Sequence, residues 1–231
     1  MFKKMLSFII FFTSFQSHAI AVSSLFESAD PDTHSADVII ANNDGKDMFI
    51  NLEMAKVEYI DGKKVVTKVS RESLKDWTFS ISPSQLILKD GEKKAIRLHN
   101  NCEKYNCKLD KDQVYAVDVT PVPYTDGKIS AVAVSFGYRV YFMDPATDVK
   151  LKYDIKRVND KEFKFSNQSN TMLNAVINTC SKNFSDDCIY QYKLLSGSEK
   201  TFSLPEEVIN KSSIILNIIN SNEVINEQVS I

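Results

Sequence analysis

From Ala36 onward the sequence is a train of short β-branched and aromatic stretches separated by turn residues, and this rhythm constrains the fold more than any other feature. Side chains alternate between the two faces of a strand, so such runs suit half-buried strands and not amphipathic helices. Asp-Gly occurs at Asp61-Gly62, Asp90-Gly91 and Asp126-Gly127, each time between apolar segments. That dipeptide fits the tight hairpin turn whose two central residues need positive φ. Five of the six glycines lie in turn-like surroundings, and Gly137 is the exception.

The pattern predicts strands at Ala36 to Ala41, Met48 to Ile60, Lys64 to Val69, Thr78 to Ser82, Leu86 to Leu88, Ala95 to His99, Val114 to Thr120 and Ile129 to Phe142. Their number and spacing suit one immunoglobulin-like sandwich with Greek-key connections. At Met143-Asp144-Pro145-Ala146 a proline ends the longest strand, which sets a domain boundary. A second, smaller sandwich follows from Val149 to Arg157, Glu162 to Ser166, Met172 to Thr179, Ile189 to Leu194, Lys200 to Leu204, Ser213 to Ile219 and Glu223 to Ser230. Glu206 to Lys211 reads as strand or helical turn. The expected class is therefore all-β, two immunoglobulin-like β-sandwich domains in tandem over residues 22–144 and 145–231.

Residues Met1 to Ala21 carry the parts of a secretory leader: Lys3 and Lys4, the apolar run Met5 to Phe12, and small residues up to Ala19 and Ala21. The run is too short to span a bilayer, so the expectation is cleavage after Ala19 or Ala21 and no membrane insertion. Without the two leader lysines the net charge moves from −2 to about −4, with no basic excess for nucleic acid. Export leads to an oxidising compartment, where Cys102 with Cys107 and Cys180 with Cys188 should close two local disulfides. A four-cysteine zinc site is the competing reading, disfavoured by spacings unlike those of zinc knuckles.

Catalytic chemistry has no foothold. His18 leaves with the leader; His34 and His99 stand in no motif, and each reads as solvated or turn-lining. No nucleophile elbow, phosphate loop, dinucleotide fingerprint or paired-histidine helix occurs, so neither an enzyme nor a cofactor is expected.

Four segments carry a resemblance. Phe79 to Leu88 with Pro83, followed by Asp90-Gly91 and Lys94 to Leu98, is an apolar segment, a turn and a basic strand. Val114 to Pro123, Ser130 to Pro145 and Phe163 to Ser169 follow in order. Together they resemble the periplasmic chaperones of the chaperone–usher pilus pathway. The pair Cys180 and Cys188 before Tyr192 to Lys200 is similar to the branch serving coli-surface-antigen-like and common pili.

The resemblance implies a periplasmic protein of a Gram-negative bacterium that binds pilus subunits and hands them to an outer-membrane usher. Such a chaperone has a cleft between its domains and lends an edge strand to a subunit that lacks one, a form of β-augmentation. By that likeness the donor row is Val132, Val134 and Phe136, with Ala131, Ala133, Ser135 and Gly137 on the opposite face. A buried place for that row in the domain's own core is the alternative. Arg139 matches the basic residue that holds the subunit's terminal carboxylate, against the reading of a surface arginine beside an acid. The usual second arginine, near the mature N-terminus, is missing, and Arg97 is a weak substitute. Asp144 replaces the basic residue before the interdomain proline. Two rival classes remain: a pilus subunit or adhesin, and a periplasmic enzyme on a sandwich scaffold.

Overall fold

The computed structural model describes residues 20–69, 73, 77–102, 109–125, 127–129, 136–181 and 186–231. Its first eleven strands are β1 (Ile20–Val22), β2 (Phe26–Ser28), β3 (Ser35–Asn42), β4 (Met48–Ile60), β5 (Lys63–Lys68), β6 (Phe79–Ser82), β7 (Gln85–Leu88), β8 (Lys93–Asn100), β9 (Gln113–Thr125), β10 (Lys128–Ile129) and β11 (Tyr138–Asp144). They form two facing sheets, β1-β3-β8-β6 and β2-β11-β9-β4-β5, with β7 and β10 added to β4 and β9. Seven more strands follow: β12 (Tyr153–Asn159), β13 (Glu162–Asn167), β14 (Leu173–Asn178), β15 (Ile189–Leu194), β16 (Glu199–Ser203), β17 (Ile215–Asn220) and β18 (Asn226–Ser230). These build the second sandwich from sheets β12-β13-β16 and β15-β14-β17-β18. Glu206–Val208 is a short 3-10 turn.

Alternation explains the first core. Val38 and Ile40 of β3, Ile96 and Leu98 of β8, Val117 and Val119 of β9, and Val140 and Phe142 of β11 are all fully buried between the sheets. Each such side chain contributes about 1.5–3 kcal/mol. Phe163, Phe165, Leu173, Ile177 and Leu216 do the same in the second sandwich. Asp61 and Gly62 both take positive φ and join Ile60 to Lys63 in a two-residue hairpin, as their sequence predicts. Asp90-Gly91 differs: it connects β7, which pairs with β4, to β8, which pairs with β3, so the turn crosses between sheets. The expected long strand from Ile129 to Phe142 also differs, since Phe136 and Gly137 lie outside strand and β11 begins at Tyr138.

On β9, burial is continuous from Val114 to Val117. Tyr115 and Val117 face the first core, while Val114 and Ala116 face outward yet are covered. Val57 of β4 and Met143 of β11 join them, and Met172 and Leu195 of the second sandwich close the cluster. Gly197, at φ +80, lets the β15–β16 turn approach the Tyr59 backbone, where a Cβ would stand 3.1 Å from the carbonyl oxygen. The second sandwich thus seats on one end of the larger sheet of the first, and that outer face reaches solvent farther along, at Arg139 and Glu53.

Candidate functional site

Register lays out the open wall beside this junction. Across β11, β9 and β4, Met143, Val114 and Val57 make the first covered row, Tyr141, Ala116 and Ala55 a second in which both alanines are buried, and Arg139, Asp118 and Glu53 a third that reaches solvent. The wall therefore grades from apolar to charged as it leaves the second sandwich. Phe26, brought in by the parallel pairing of β2 with β11, lies next to Tyr141.

Arg139 sits in the charged row with its fork engaged. Its Nε and Nη2 donate to the two oxygens of Asp118 at 2.6 and 2.7 Å. The hydrogen bond from Arg139 holds the Asp118 carboxyl below its ordinary value, and the same bond raises the guanidinium. Both partners are partly open to water, at 41% and 25% side-chain exposure, so a third group can still reach the remaining guanidinium donors. Two lysines stand nearby on the apolar part. Lys64 Nζ donates to Tyr141 Oη at 2.9 Å and lies 5.0 Å from that ring's centre. Lys193, from β15 of the second sandwich, lies 5.4 Å from the centre of Phe26. Neither lysine is visible as a site residue in sequence, because Lys64 meets Tyr141 across 77 residues of chain.

Arg97 does not join this group. It lies on the outer face of the opposite sheet, paired through Nε and Nη2 with Asp37 at 2.8 and 2.9 Å. Arg97, on β8, and Arg139, on β11, lie in opposite sheets, so the structure does not bring the two expected anchors together.

Of the expected donor row, Val132 and Val134 lie outside the described residues. Phe136 is 88% exposed. Just after it, Gly137 runs so close to β9 that a Cβ would overlap the Val119 carbonyl oxygen. Opposite β9, β11 pairs among the described residues only with β2, and only at Tyr141, Phe142 and Met143. The backbone edge of Tyr138, Arg139 and Val140 therefore has no strand beside it there.

His34, read as solvated or turn-lining, lies in the turn before Ser35 and is not solvated: its side chain is 15% exposed, with Nδ1 3.0 Å from a carboxylate oxygen of Asp144, itself 1% exposed. The reason is β3–β8 pairing, which carries the turn before Ser35 onto the end of β11. Cys180 and Cys188 form the expected disulfide between β14 and β15. Cys102 is disulfide-bonded as well; its expected partner Cys107 lies outside the described residues. A zinc site of thiolates is accordingly overturned for these three cysteines.

Residues 22–145 match the family model described as the CS5 fimbrial protein N-terminal domain. Among solved structures, the class 5 fimbriae chaperone CfaA is similar at 17% identity and a TM-score of 0.54, over 92% of this chain and 97% of that one. The chaperone–tip adhesin complex of CFA/I fimbriae is similar at 18% identity and a TM-score of 0.52, with the same coverage. The CsuC–CsuE chaperone–tip subunit complex of Acinetobacter baumannii is similar at 14% identity and a TM-score of 0.53, again over 92% and 97%. These likenesses show a shared fold of two immunoglobulin-like sandwiches. A search of the curated proteins found no match.

Proposed function

The chain belongs to the family of the CS5 fimbrial protein N-terminal domain, and from that premise we propose that it is a periplasmic chaperone of fimbrial subunits. The observation that carries the reading is the extent of the likeness to CfaA, which runs through both sandwiches and spares no domain of either chain. A fimbrial subunit or adhesin would need an incomplete sandwich awaiting a strand. Both cores here are closed among the described residues, by Phe142 and its neighbours in one and by Phe163 and its neighbours in the other.

The proposed mechanism follows from the geometry of the wall. A subunit lacking its last strand exposes an apolar groove and unpaired backbone groups; both are satisfied by adding a strand from the chaperone. The segment ending in Val132, Val134 and Phe136 is that donor strand, supported by the exposure of Phe136 and by the edge at Tyr138 to Val140, which has no strand beside it among the described residues. Arg139 receives the subunit's terminal carboxylate, with Lys64, bonded to Tyr141, and Lys193, over Phe26, as the candidates for the second cation. A half-exposed guanidinium and two ammonium groups over aromatic rings make a site that attracts one carboxylate without burying a free charge.

In this reading a leader directs the chain to the periplasm of a Gram-negative bacterium, the domains meet near Pro145, and the loaded subunit passes to an outer-membrane usher. No catalysis is assigned. Co-purification tests the proposal: co-expressed with the fimbrial subunit of its own system, the chain should bring down a soluble, stoichiometric, β-rich partner. A chain that instead polymerises, or accepts a donor-strand peptide into its own core, is a subunit.

A further inference from the structure

Asp112 lies at the start of β9's approach to the junction, 8% exposed, with its carboxylate held entirely by neutral donors. Oδ1 accepts the Ala146 N–H at 2.8 Å, from the segment that links the sandwiches. Oδ2 accepts the Met172 N–H at 2.6 Å and the Thr171 hydroxyl at 3.2 Å, both from the second sandwich. The Thr171 hydroxyl is itself 2.8 Å from that of Ser221. Around this centre the backbone is knotted: Asp112 N–H donates to Asn170 O at 2.9 Å, Asn170 Nδ2 donates to Asp110 O and Asp148 O, and Thr147 N–H donates to Leu109 O. Three segments that belong to the first sandwich, the linker and the second sandwich meet on one side chain.

We infer that Asp112 is a positioning residue that sets the angle between the two sandwiches, and with it the shape of the wall that carries Arg139. The apolar contact of Met143, Val114 and Val57 with Met172 and Leu195 is non-directional and would tolerate sliding. Hydrogen bonds to fixed N–H groups do not, because they weaken steeply as the donor angle closes. Only a carboxylate fits, since both oxygens must accept. Asparagine would turn its own amide hydrogens toward either Ala146 N–H or Met172 N–H.

Burial pushes the Asp112 carboxyl above its ordinary value, against the pull of its donors. A carboxyl raised on folding contributes stability at acidic pH that is lost as pH rises through the raised value. The three bonds from the linker and the second sandwich, not the charge, are what make the residue directional.

The test is Asp112→Asn in the full mature chain, read by circular-dichroism melting, small-angle scattering and limited trypsin digestion at Lys150 and Lys152, which lie exposed in the linker. A positioning role predicts a broadened interdomain distance distribution and linker cleavage faster by about tenfold through local opening, whatever the fall in melting temperature from the unpaired N–H. A folded variant with unchanged scattering and unchanged linker cleavage overturns the inference. Should Asp112→Asn fail to fold, Thr171→Val decides: faster linker cleavage at unaltered melting supports the clamp, and wild-type cleavage refutes it.

Discussion

His34 Nδ1 lies 3.0 and 3.1 Å from the two carboxylate oxygens of Asp144, across 110 residues of sequence. Asp144 also accepts from Asn100 Nδ2 at 2.8 Å, so a turn, β8 and the end of β11 share one buried carboxylate. Removing the imidazole leaves that carboxylate with fewer donors in a site water reaches poorly. His34→Ala should therefore destabilise the first sandwich by about 1–3 kcal/mol. Thermal melting checks it, and a change within error would mean that Asn100 alone suffices.

Arg139→Ala should leave the free protein folded, because an ion pair this exposed is worth only about 0.2–1 kcal/mol. Loss of the charge-assisted bond to a subunit's carboxylate should weaken capture by about 1.5–3 kcal/mol. Lys64→Ala should weaken it further in the double variant, measured by calorimetric titration with a subunit terminal peptide. Acid resolves the resident pair. Asp118 is held below 3.8 in the fold, so its share of stability is present above the unfolded carboxylate's range and fades as pH falls through the lowered value. The melting difference between wild type and Asp118→Asn should be full at neutral pH and vanish in strong acid.

Val134→Glu probes donation. A charge in the middle of the row should abolish recovery of soluble subunit, since each large apolar side chain buried in the partner contributes about 1.5–3 kcal/mol. The free protein should melt near the wild-type temperature. Collapse of the free variant would show that Val134 belongs to the chaperone's own core.

Gly137→Ala probes the approach of the donor segment to β9. A methyl group there meets the Val119 carbonyl, a backbone atom that cannot swing aside, so the chain must shift. Overpacking of this kind costs about 1–3 kcal/mol. The melting temperature should fall, and amide exchange at Tyr138 to Val140 should speed up.

Leader processing should leave Ile20 as the first residue. Ile20 is 5% exposed in the first core, its carbonyl accepts the Tyr138 hydroxyl at 2.9 Å, and Ile20–Val22 pairs with Ile40–Asn42. Cleavage after Ala21 would remove it, and cleavage after Ala19 keeps it. The intact mass of the exported protein distinguishes the two, and a mature start at Val22 would show that the core forms without Ile20.

Strand and turn positions were legible in the sequence because they rest on neighbours along the chain. Met48 to Ile60 alternates over its first half, Asp61-Gly62 adopts the positive φ its turn demands, and Cys180 is close enough to Cys188 to bridge. The all-β class and the tandem of two sandwiches followed from the same local rules. Tertiary structure alone decided what each face meets. Arg139 opposes Asp118, Lys64 reaches Tyr141, His34 finds Asp144, and Asp112 spans the junction through contacts 21 to 110 residues apart. Register and sheet order fix such pairings, and both emerge from the whole core packing at once; a one-residue slip would exchange the faces while leaving every local propensity intact.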